Sequence, residues 1–331
     1  MAEATPDVAL LVATYNEAES IAACLESLAD QDYAGRMRVV VADGGSSDET
    51  MSEVARFRDR LDLTIIANPE RRQGPGLNRA AASVDSEYLI RIDAHTVYAP
   101  DYVSHSMAAL QASGAAAAGG ALVPVGTTPF GRAVAAAMRS PLATGPGRFH
   151  RKGMAGEVDT VYLGVFRRAD FMALGGYRSF PSGAGEDADL YHRMRRRGWR
   201  VHLDPKIRST YRPRQTPGSL LRQQFRYGQA KAEMLWANGA FPSWRPLAPA
   251  LLVAGVVAGV AVAIAGPLWP LGTLLGLWLL ALAGAWATAR GGSPLVVPAA
   301  ALMHLGYGMG LWWGLLRGPG RVRRMVRSPG D

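Results

Sequence analysis

The chain of 331 residues has a single cysteine, Cys24. One thiol excludes an intramolecular disulfide, a Cys-rich zinc module and a CxxC redox centre, and it fits a reduced, cytosol-facing compartment. Cys24 itself reads as a small core residue. Acidic residues are missing from a long C-terminal stretch: no Asp or Glu occurs between Met234 and Gly330. Inside that stretch no residue is charged from Pro246 to Ala289, and after Arg290 a second uncharged run extends from Gly291 to Leu316. Soluble domains do not carry such runs, whereas a bilayer span takes roughly 20 apolar residues. The phosphate-binding motifs of two familiar nucleotide folds are absent as well. No GxxxxGK[ST] occurs, and the turn after the first apolar run reads ATYNEA where a dinucleotide fold would carry GxGxxG.

What is present is the composition of a folded chain, 49% hydrophobic and 19% charged, too apolar for disorder. The formal charge is +9. Much of that excess lies beside the apolar runs, where it reads as membrane orientation, so no nucleic-acid partner is expected. Three candidate spans follow, Leu247–Ala265, Leu268–Ala289 and Leu295–Leu316. The expected organisation is a cytoplasmic domain over 1–240, a membrane domain of two or three helices over 246–317 and a basic tail over 318–331. Residues 215–240 read as an interfacial helix, with Leu220, Leu221, Phe225 and Leu235 toward lipid and Arg222 and Lys231 at headgroups. Arg317, Arg321, Arg323, Arg324 and Arg327 would hold the tail in the cytoplasm. Three full spans from a cytoplasmic start would put it outside, so either one segment is re-entrant or interfacial, or the rule is broken. Glu3 and Asp7, with no long apolar run near them, read as a start without a signal peptide, which keeps the first domain on the cytoplasmic face of the cell membrane.

The first 95 residues alternate strand and helix patterns. Val8–Ala13 is a continuous apolar run of strand length, the pattern of a strand buried on both faces. Ala18, Ile21, Ala22, Leu25 and Leu28 recur at helical spacing after Asn16, read as an N-cap. Arg38–Ala42 is a second strand, and the capping-box spacing of Ser46 and Glu49 predicts a helix carrying Met51, Val54 and Ala55 inward. Leu63–Ala67 and Tyr88–Ile92 supply two more strands, with a short helix at Leu77–Ala82 between them. This order predicts an α/β sheet with right-handed crossovers and a ligand crevice at the carboxyl ends of its strands. Thr14-Tyr15-Asn16-Glu17, Asp43 and Asp93-Ala94-His95 all fall on that rim.

These residues carry a resemblance. Val12-Ala-Thr-Tyr-Asn-Glu17, Val41-Ala-Asp-Gly-Gly-Ser-Ser-Asp-Glu-Thr50 and Asp93-Ala-His95 resemble the opening signatures of family 2 inverting glycosyltransferases with the GT-A fold. Gly164-Val-Phe-Arg-Arg168, Gly175-Gly-Tyr177 and Gly185-Glu-Asp-Ala-Asp-Leu190, followed by Arg193 and Gly198-Trp199, resemble that family's acceptor-side and catalytic motifs. Gln223-Gln-Phe-Arg-Tyr227 resembles its QxxRW motif, with Tyr in place of Trp. These motifs occur in order over residues 8–235. Asp-Ala-His together with Tyr211-Arg-Pro-Arg214 resembles the succinoglycan-biosynthesis subgroup. The resemblance implies a GT-A fold, a Rossmann-like mixed sheet of the nucleotide-diphospho-sugar transferases, here followed by transmembrane helices. It implies a metal-dependent transfer of a hexose from a UDP-sugar to a polyprenyl-diphosphate-linked saccharide in extracellular polysaccharide assembly. Transfer to polyprenyl phosphate, processive synthesis and a non-catalytic membrane partner that keeps the fold stand as alternatives.

Each candidate residue has its own chemistry. Asp43, in a Gly-rich turn, is either only a turn residue or, as the resemblance implies, a partner for a uracil N–H. Glu17 and the backbone of Thr14, Tyr15 and Asn16 are expected at the base and ribose. Asp93 and His95, two residues apart beyond a strand, point to one side and can share a divalent cation; a carboxylate suits Mg²⁺ and an imidazole suits Mn²⁺. Asp187, at the start of a helix, is the expected general base, and the resemblance gives Glu186 a part in orienting the acceptor or base. A carboxylate there can equally be a cap, a role open to Glu186 or Asp189. The resemblance places Arg72 and Asn78 on the donor-side loop with Arg71, and Gln223, Arg226 and Tyr227 near the diphosphate; Arg226 and its neighbours also fit a helix lying on lipid. Ser140–Gly156 reads as a lid whose Arg148, His150, Arg151 and Lys152 would order over diphosphate.

Overall fold

The computed structural model describes residues 5–145, 153–241, 244, 247–289 and 292–326. Two compact units emerge. Within the described residues the first comprises 5–123, 153–179 and 186–211, and the second 124–145, 180–185 and 212–326.

The first unit opens as a regular alternation. β1 (Val8–Thr14), α1 (Ile21–Ala29), β2 (Met37–Asp43), α2 (Thr50–Ala55), β3 (Asp62–Ala67), α3 (Gln73–Ala82) and β4 (Tyr88–Asp93) follow one another. β1 lies between β2 and β4, all three parallel, and β3 adds parallel to the far side of β2. Next come β5 (Thr96–Tyr98), α4 (Tyr102–Ser113), β6 (Ala117–Gly120), β7 (Val123–Pro124), α5 (Pro129–Ala137), α6 (Pro141–Thr144), β8 (Gly156–Glu157), β9 (Tyr162–Arg167), α7 (Arg168–Ala173), α8 (Glu186–Arg196), β10 (Val201–Leu203) and β11 (Ser209–Tyr211). β9 enters the sheet antiparallel to both β4 and β6, which makes the order β3-β2-β1-β4-β9-β6-β10-β8 a mixed sheet.

Residue alternation along the strands divides the core. Val8, Leu10 and Val12 of β1 with Tyr88, Ile90 and Ile92 of β4 pack on one face against α1 and α4. Ala9, Leu11 and Leu89 face the other way, against Leu77, Ala80 and Ala81 of α3 and Leu190 and Met194 of α8. Both faces of β1 are covered, which is why its run is uninterrupted. Cys24 is fully buried in the first cluster, and its thiol donates to the Asp93 carbonyl at 3.7 Å.

Two expected caps are corrected. α1 starts at Ile21, with Ser20 preceding it, and Asn16 sits at φ 54° in the left-handed region that Asn tolerates. Its side chain is spent on another loop, accepting from the Ser47 amide at 2.9 Å. α2 starts at Thr50, and Ser46 is not its cap; the Ser46 hydroxyl donates to Asp43 at 2.6 Å. Ser46 Oγ also accepts from the Asn16 amide at 2.9 Å, so in both cases a cross-loop hydrogen bond takes the place of the cap. The helix expected at Leu77–Ala82 begins earlier, at Gln73.

The second unit is helical: α5 and α6 join α9 (Pro217–Asn238), α10 (Leu247–Ala265), α11 (Trp269–Thr288), α12 (Val296–Leu316) and α13 (Gly320–Val326). α9 begins with Thr216 and Ser219 in reciprocal capping and ends on Gly239 at φ 70°. α10 and α11 are long and apolar enough to cross a membrane, and both are candidate spans. Their outer surfaces are bare, with Ile264 84% and Trp269 70% exposed.

α12 is different. The third expected span falls on α12, whereas among the described residues the helices long and apolar enough to cross a membrane are α10 and α11. Gly306, Gly310 and Gly314 recur every four residues and lie against Leu221, Phe225 and Gln229 of α9. A β-carbon at Gly310 would run into the Phe225 carbonyl oxygen, so this backbone contact requires glycine. His304 is absorbed in packing too: Trp278 donates to its Nδ1 at 3.2 Å, and its Nε2 then donates to the Leu142 carbonyl at 2.9 Å.

Candidate active site

In the first unit the carboxyl ends of β1, β2, β3 and β4 bring the first motifs onto one rim. At the end of β2, Asp43 Oδ2 accepts from the Gly45 and Ser46 amides at 3.0 and 3.1 Å. The turn reading of Asp43 is therefore correct as far as it goes. A carboxylate has about four acceptor positions, so capacity remains for a ligand N–H. Tyr15 is 43% exposed beside this turn, with the Arg71 guanidinium 5.5 Å from its ring centroid. Thr14 Oγ1 and Asn68 Oδ1, at the ends of β1 and β3, are buried with no hydrogen-bond partner among the described residues. Such orphaned polar atoms call for a water or a ligand to satisfy them.

Glu17 does not stand free over this rim. Its carboxylate accepts from the Ser20 hydroxyl at 2.7 Å and meets His95 Nδ1 at 3.3 Å. Burial opposes ionisation of Glu17, but the hydrogen bonds from His95 and Ser20 outweigh it and hold the carboxyl below its ordinary value.

The end of β4 carries the densest electrostatics. Asp93 is 6% exposed; its amide donates to the Tyr98 hydroxyl at 2.8 Å. Its Oδ1 accepts from Gln73 Nε2 at 2.8 Å and from Arg91 Nε at 3.2 Å. Arg91, buried two residues earlier on the same face of β4, also approaches Glu186 Oε1 to 3.7 Å and stacks 5.6 Å from the Tyr177 ring centroid. Burial works against the guanidinium charge, and the neighbouring Asp93, Tyr177 and Glu186 more than offset it, so Arg91 stays protonated. Burial pushes the Glu186 carboxyl up to about 7; Arg91 opposes this, and Asp187 and Asp93 add to it.

Glu186 and Asp187 open α8. Asp187 Oδ1 accepts from the Ala188 amide at 2.7 Å and the residue remains partly accessible. Asp189 is fully buried and paired with Arg193 Nε at 2.7 Å. Arg193 in turn donates to the Leu174 and Gly176 carbonyls at 2.7 and 2.6 Å. Asp189 therefore pins α8 to the Gly175-Gly176 turn and is structural. Asn78 acts on the next residue: its Nδ2 donates to the Tyr177 carbonyl and its Oδ1 accepts the Tyr177 amide, both at 2.8 Å. Its amide is thus used in holding Tyr177. Arg72 is partly buried at the start of α3.

Gln223, Arg226 and Tyr227 lie on α9 in the second unit. Gln223 donates to the Tyr227 hydroxyl at 3.2 Å, and Arg226 Nε to the Ser182 carbonyl at 3.2 Å. Glu233 is buried and accepts from the Ser182 amide and hydroxyl at 3.1 and 2.6 Å. Arg148, His150, Arg151 and Lys152, read as a lid, lie outside the described residues.

Sequence reasoning missed Arg91 and Gln73. A charge inside the apolar strand Tyr88–Asp93, at the i−2 position from Asp93, was a usable signal for Arg91. Gln73 had none, because its approach to Asp93 depends on how α3 packs.

Among the described residues no three His, Cys, Asp or Glu side chains converge into a cation cage. Asp93 nevertheless keeps Oδ2 without a protein partner among the described residues, and an imidazole stands two residues on. One carboxylate oxygen and one imidazole nitrogen fit a divalent cation whose other ligands are phosphate oxygens and water.

Fold and rim together define an α/β protein of the GT-A kind. Across 91% of its length the chain superposes on 89% of the mannosyltransferase PcManGT from Pyrobaculum calidifontis, solved with GDP-Man and Mn²⁺, at a TM-score of 0.61 and 23% identity. It covers 92% of itself and 90% of S. aureus TarS 1-349, solved with UDP-GlcNAc, at a TM-score of 0.52 and 16% identity. The chain belongs to glycosyl transferase family 2, whose domain matches residues 9–175. It is 35% identical over 318 residues to the succinoglycan biosynthesis protein ExoA of Rhizobium meliloti (strain 1021), covering 93% of this chain and 94% of that one. It is 28% identical to an N-acetylglucosaminyltransferase of Rhizobium leguminosarum bv. viciae, over 68% of this chain and 55% of that one.

Proposed function

We propose that the protein is a membrane-anchored inverting glycosyltransferase that moves a hexose from a UDP-sugar onto a polyprenyl-diphosphate-linked saccharide in extracellular polysaccharide assembly. The observation that carries this reading is the constellation at the end of β4, where Asp93, Arg91 and Glu186 meet beside Asp187. The length-wide similarity to a succinoglycan biosynthesis protein supports the pathway class. The bare apolar surfaces of α10 and α11 support the anchor, which keeps the first unit on the cytoplasmic face. The arginines of α13 carry the basic charge that the positive-inside rule would hold in the cytoplasm.

In this reading Tyr15 and Asp43 receive the base, with Thr14 Oγ1 supplying an unused hydroxyl. Arg72 meets a phosphate, and Asn78 acts by holding Tyr177. Asp187 accepts the proton of the acceptor hydroxyl as its oxygen attacks the anomeric carbon. The bond from that carbon to the diphosphate breaks on the opposite face, and configuration inverts. Glu186, poised near neutrality, orients the acceptor beside Asp187. Gln223, Arg226 and Tyr227 keep the role their motif implies, on the departing diphosphate. A divalent cation held by Asp93 and His95, Mn²⁺ or Mg²⁺, would neutralise charge on that leaving group.

The test is transfer from a panel of labelled UDP- and GDP-sugars to the lipid-linked saccharides of membranes that contain the full-length protein. Label entering the lipid extract from one UDP-sugar, with inverted anomeric configuration, is the expected result. Label appearing only in water-soluble polymer, or configuration retained, would contradict it.

A further inference from the structure

Asp93 is held from four directions. Its amide meets the Tyr98 hydroxyl, its carbonyl accepts from Cys24, and its Oδ1 takes both Gln73 and Arg91. Two donors on one oxygen fix the plane of a carboxylate and leave the other oxygen for a third party. Here that other oxygen is Oδ2, with no protein partner among the described residues. Arg91 does more than its share of this. Its guanidinium lies on the face of β4 that also carries Asp93, packs over Tyr177 and reaches Glu186 Oε1 at 3.7 Å. One buried cation thus touches a donor-side carboxylate and an acceptor-side carboxylate together. A planar fork can do this; a point-charge ammonium on a flexible stem holds such a geometry less well. Removing a partner that orients a metal-binding side chain typically weakens metal affinity roughly 10- to 100-fold.

Resting on the function proposed above, we propose that Arg91 and Gln73 are positioning residues: they clamp Asp93 Oδ1 so that Oδ2 is presented to the cation and diphosphate of the donor, and Arg91 ties that carboxylate to Glu186. Neither touches the reacting atoms. The strand position of Arg91 sets the spacing, and the first turn of α3 brings Gln73 to the same oxygen from the other side.

The experiment measures Mn²⁺ binding to the full-length protein in detergent by electron paramagnetic resonance, with UDP and with GDP present, for wild type, Gln73→Leu, Arg91→Met and Arg91→Lys. Circular dichroism and melting temperature verify folding. In Gln73→Leu and Arg91→Met, Mn²⁺ affinity should fall roughly 10- to 100-fold, with Arg91→Lys between them and wild type. The KM for the donor should rise in Gln73→Leu and return toward wild type with excess Mn²⁺, which a merely structural defect would not do. If Arg91→Met does not fold, Gln73→Leu decides, because Gln73 is partly exposed and no buried charge is stranded by its loss. A folded Gln73→Leu that binds Mn²⁺ with nucleotide as wild type does overturns the proposal while leaving the proposed function intact. A folded wild type that binds no Mn²⁺ with either nucleotide overturns the metal reading itself and this proposal with it.

Discussion

Replacing Glu186 by Gln should make the protein more stable relative to wild type as pH rises. The Glu186 carboxyl is 13% exposed, and burial lifts it from an ordinary 4.5 to about 7, a value that already includes the opposing pull of Arg91. Below pH 4.5 the group is protonated in both folded and unfolded chains and contributes nothing to the pH dependence. Between 4.5 and 7 the unfolded chain releases the proton while the folded one keeps it, so stability falls as pH climbs. Above 7 both are ionised and the penalty is constant. At about 1.4 kcal/mol per pH unit, the span from 4.5 to about 7 amounts to roughly 3 kcal/mol. Gln carries no titrating proton, so the variant escapes this loss. The assay is thermal unfolding of both proteins in detergent from pH 5 to 8, read as the difference in Tm, in which the titrations of groups remote from Glu186 cancel. At roughly 2–4 °C per kcal/mol the difference should grow by about 5–10 °C in favour of Glu186→Gln. A difference that stays flat across this range would refute the buried-carboxyl reasoning. A difference that grows in favour of wild type would show that Arg91 wins over burial.

Three other outcomes follow from the packing. Thr14→Val removes a hydroxyl that has no partner among the described residues, so melting should be unchanged or slightly raised while UDP affinity, followed by calorimetry, falls. Asp189→Asn breaks the buried pair with Arg193 and should cost about 3–5 kcal/mol, seen in denaturant unfolding. Gly310→Leu drives a side chain into the α9 backbone and should separate α12 from α9; protease accessibility of α9 should rise, whereas the same change at Gly272, with nothing near its missing β-carbon, should leave it unaltered.

The parts of this fold that are local were legible in the sequence. β1 could be read from an uninterrupted apolar run because it is covered on both faces, β2 and β4 from apolar stretches broken only by Arg38 and Arg91, and α10, α11 and α12 from the absence of charge. Non-local features were hidden. That β9 inserts antiparallel between β4 and β6 depends on pairings between segments far apart in sequence, Tyr88 with Arg167 and Ala117 with Phe166, which no periodicity encodes. Asn16 and Ser46 carry good capping chemistry, yet each serves a bond between the β1 and β2 loops, since tertiary partners outcompete local ones. In the site, Asp43, Asp93, Glu186 and Asp187 announce themselves by motif. The partners that set their behaviour do not: Glu17 is met by His95, Asn78 is taken up by Tyr177, and Gln73 reaches Asp93 through helix packing. Uncharged length alone does not distinguish a lipid-facing helix from one whose glycines seat it against a neighbour, as those of α12 do against α9.

The central claim, that the first unit holds a sugar-transfer site with Asp187 as its base, is tested most directly by Asp187→Asn. Release of UDP or GDP and binding of nucleotide sugar should be measured side by side, with Mn²⁺, Mg²⁺ or EDTA, in full-length wild type and variant. The account predicts turnover reduced about 10²–10⁴-fold in the variant with donor affinity within a few-fold of wild type. Turnover that survives the substitution, or donor binding lost together with it, would contradict the assignment of Asp187 as the general base.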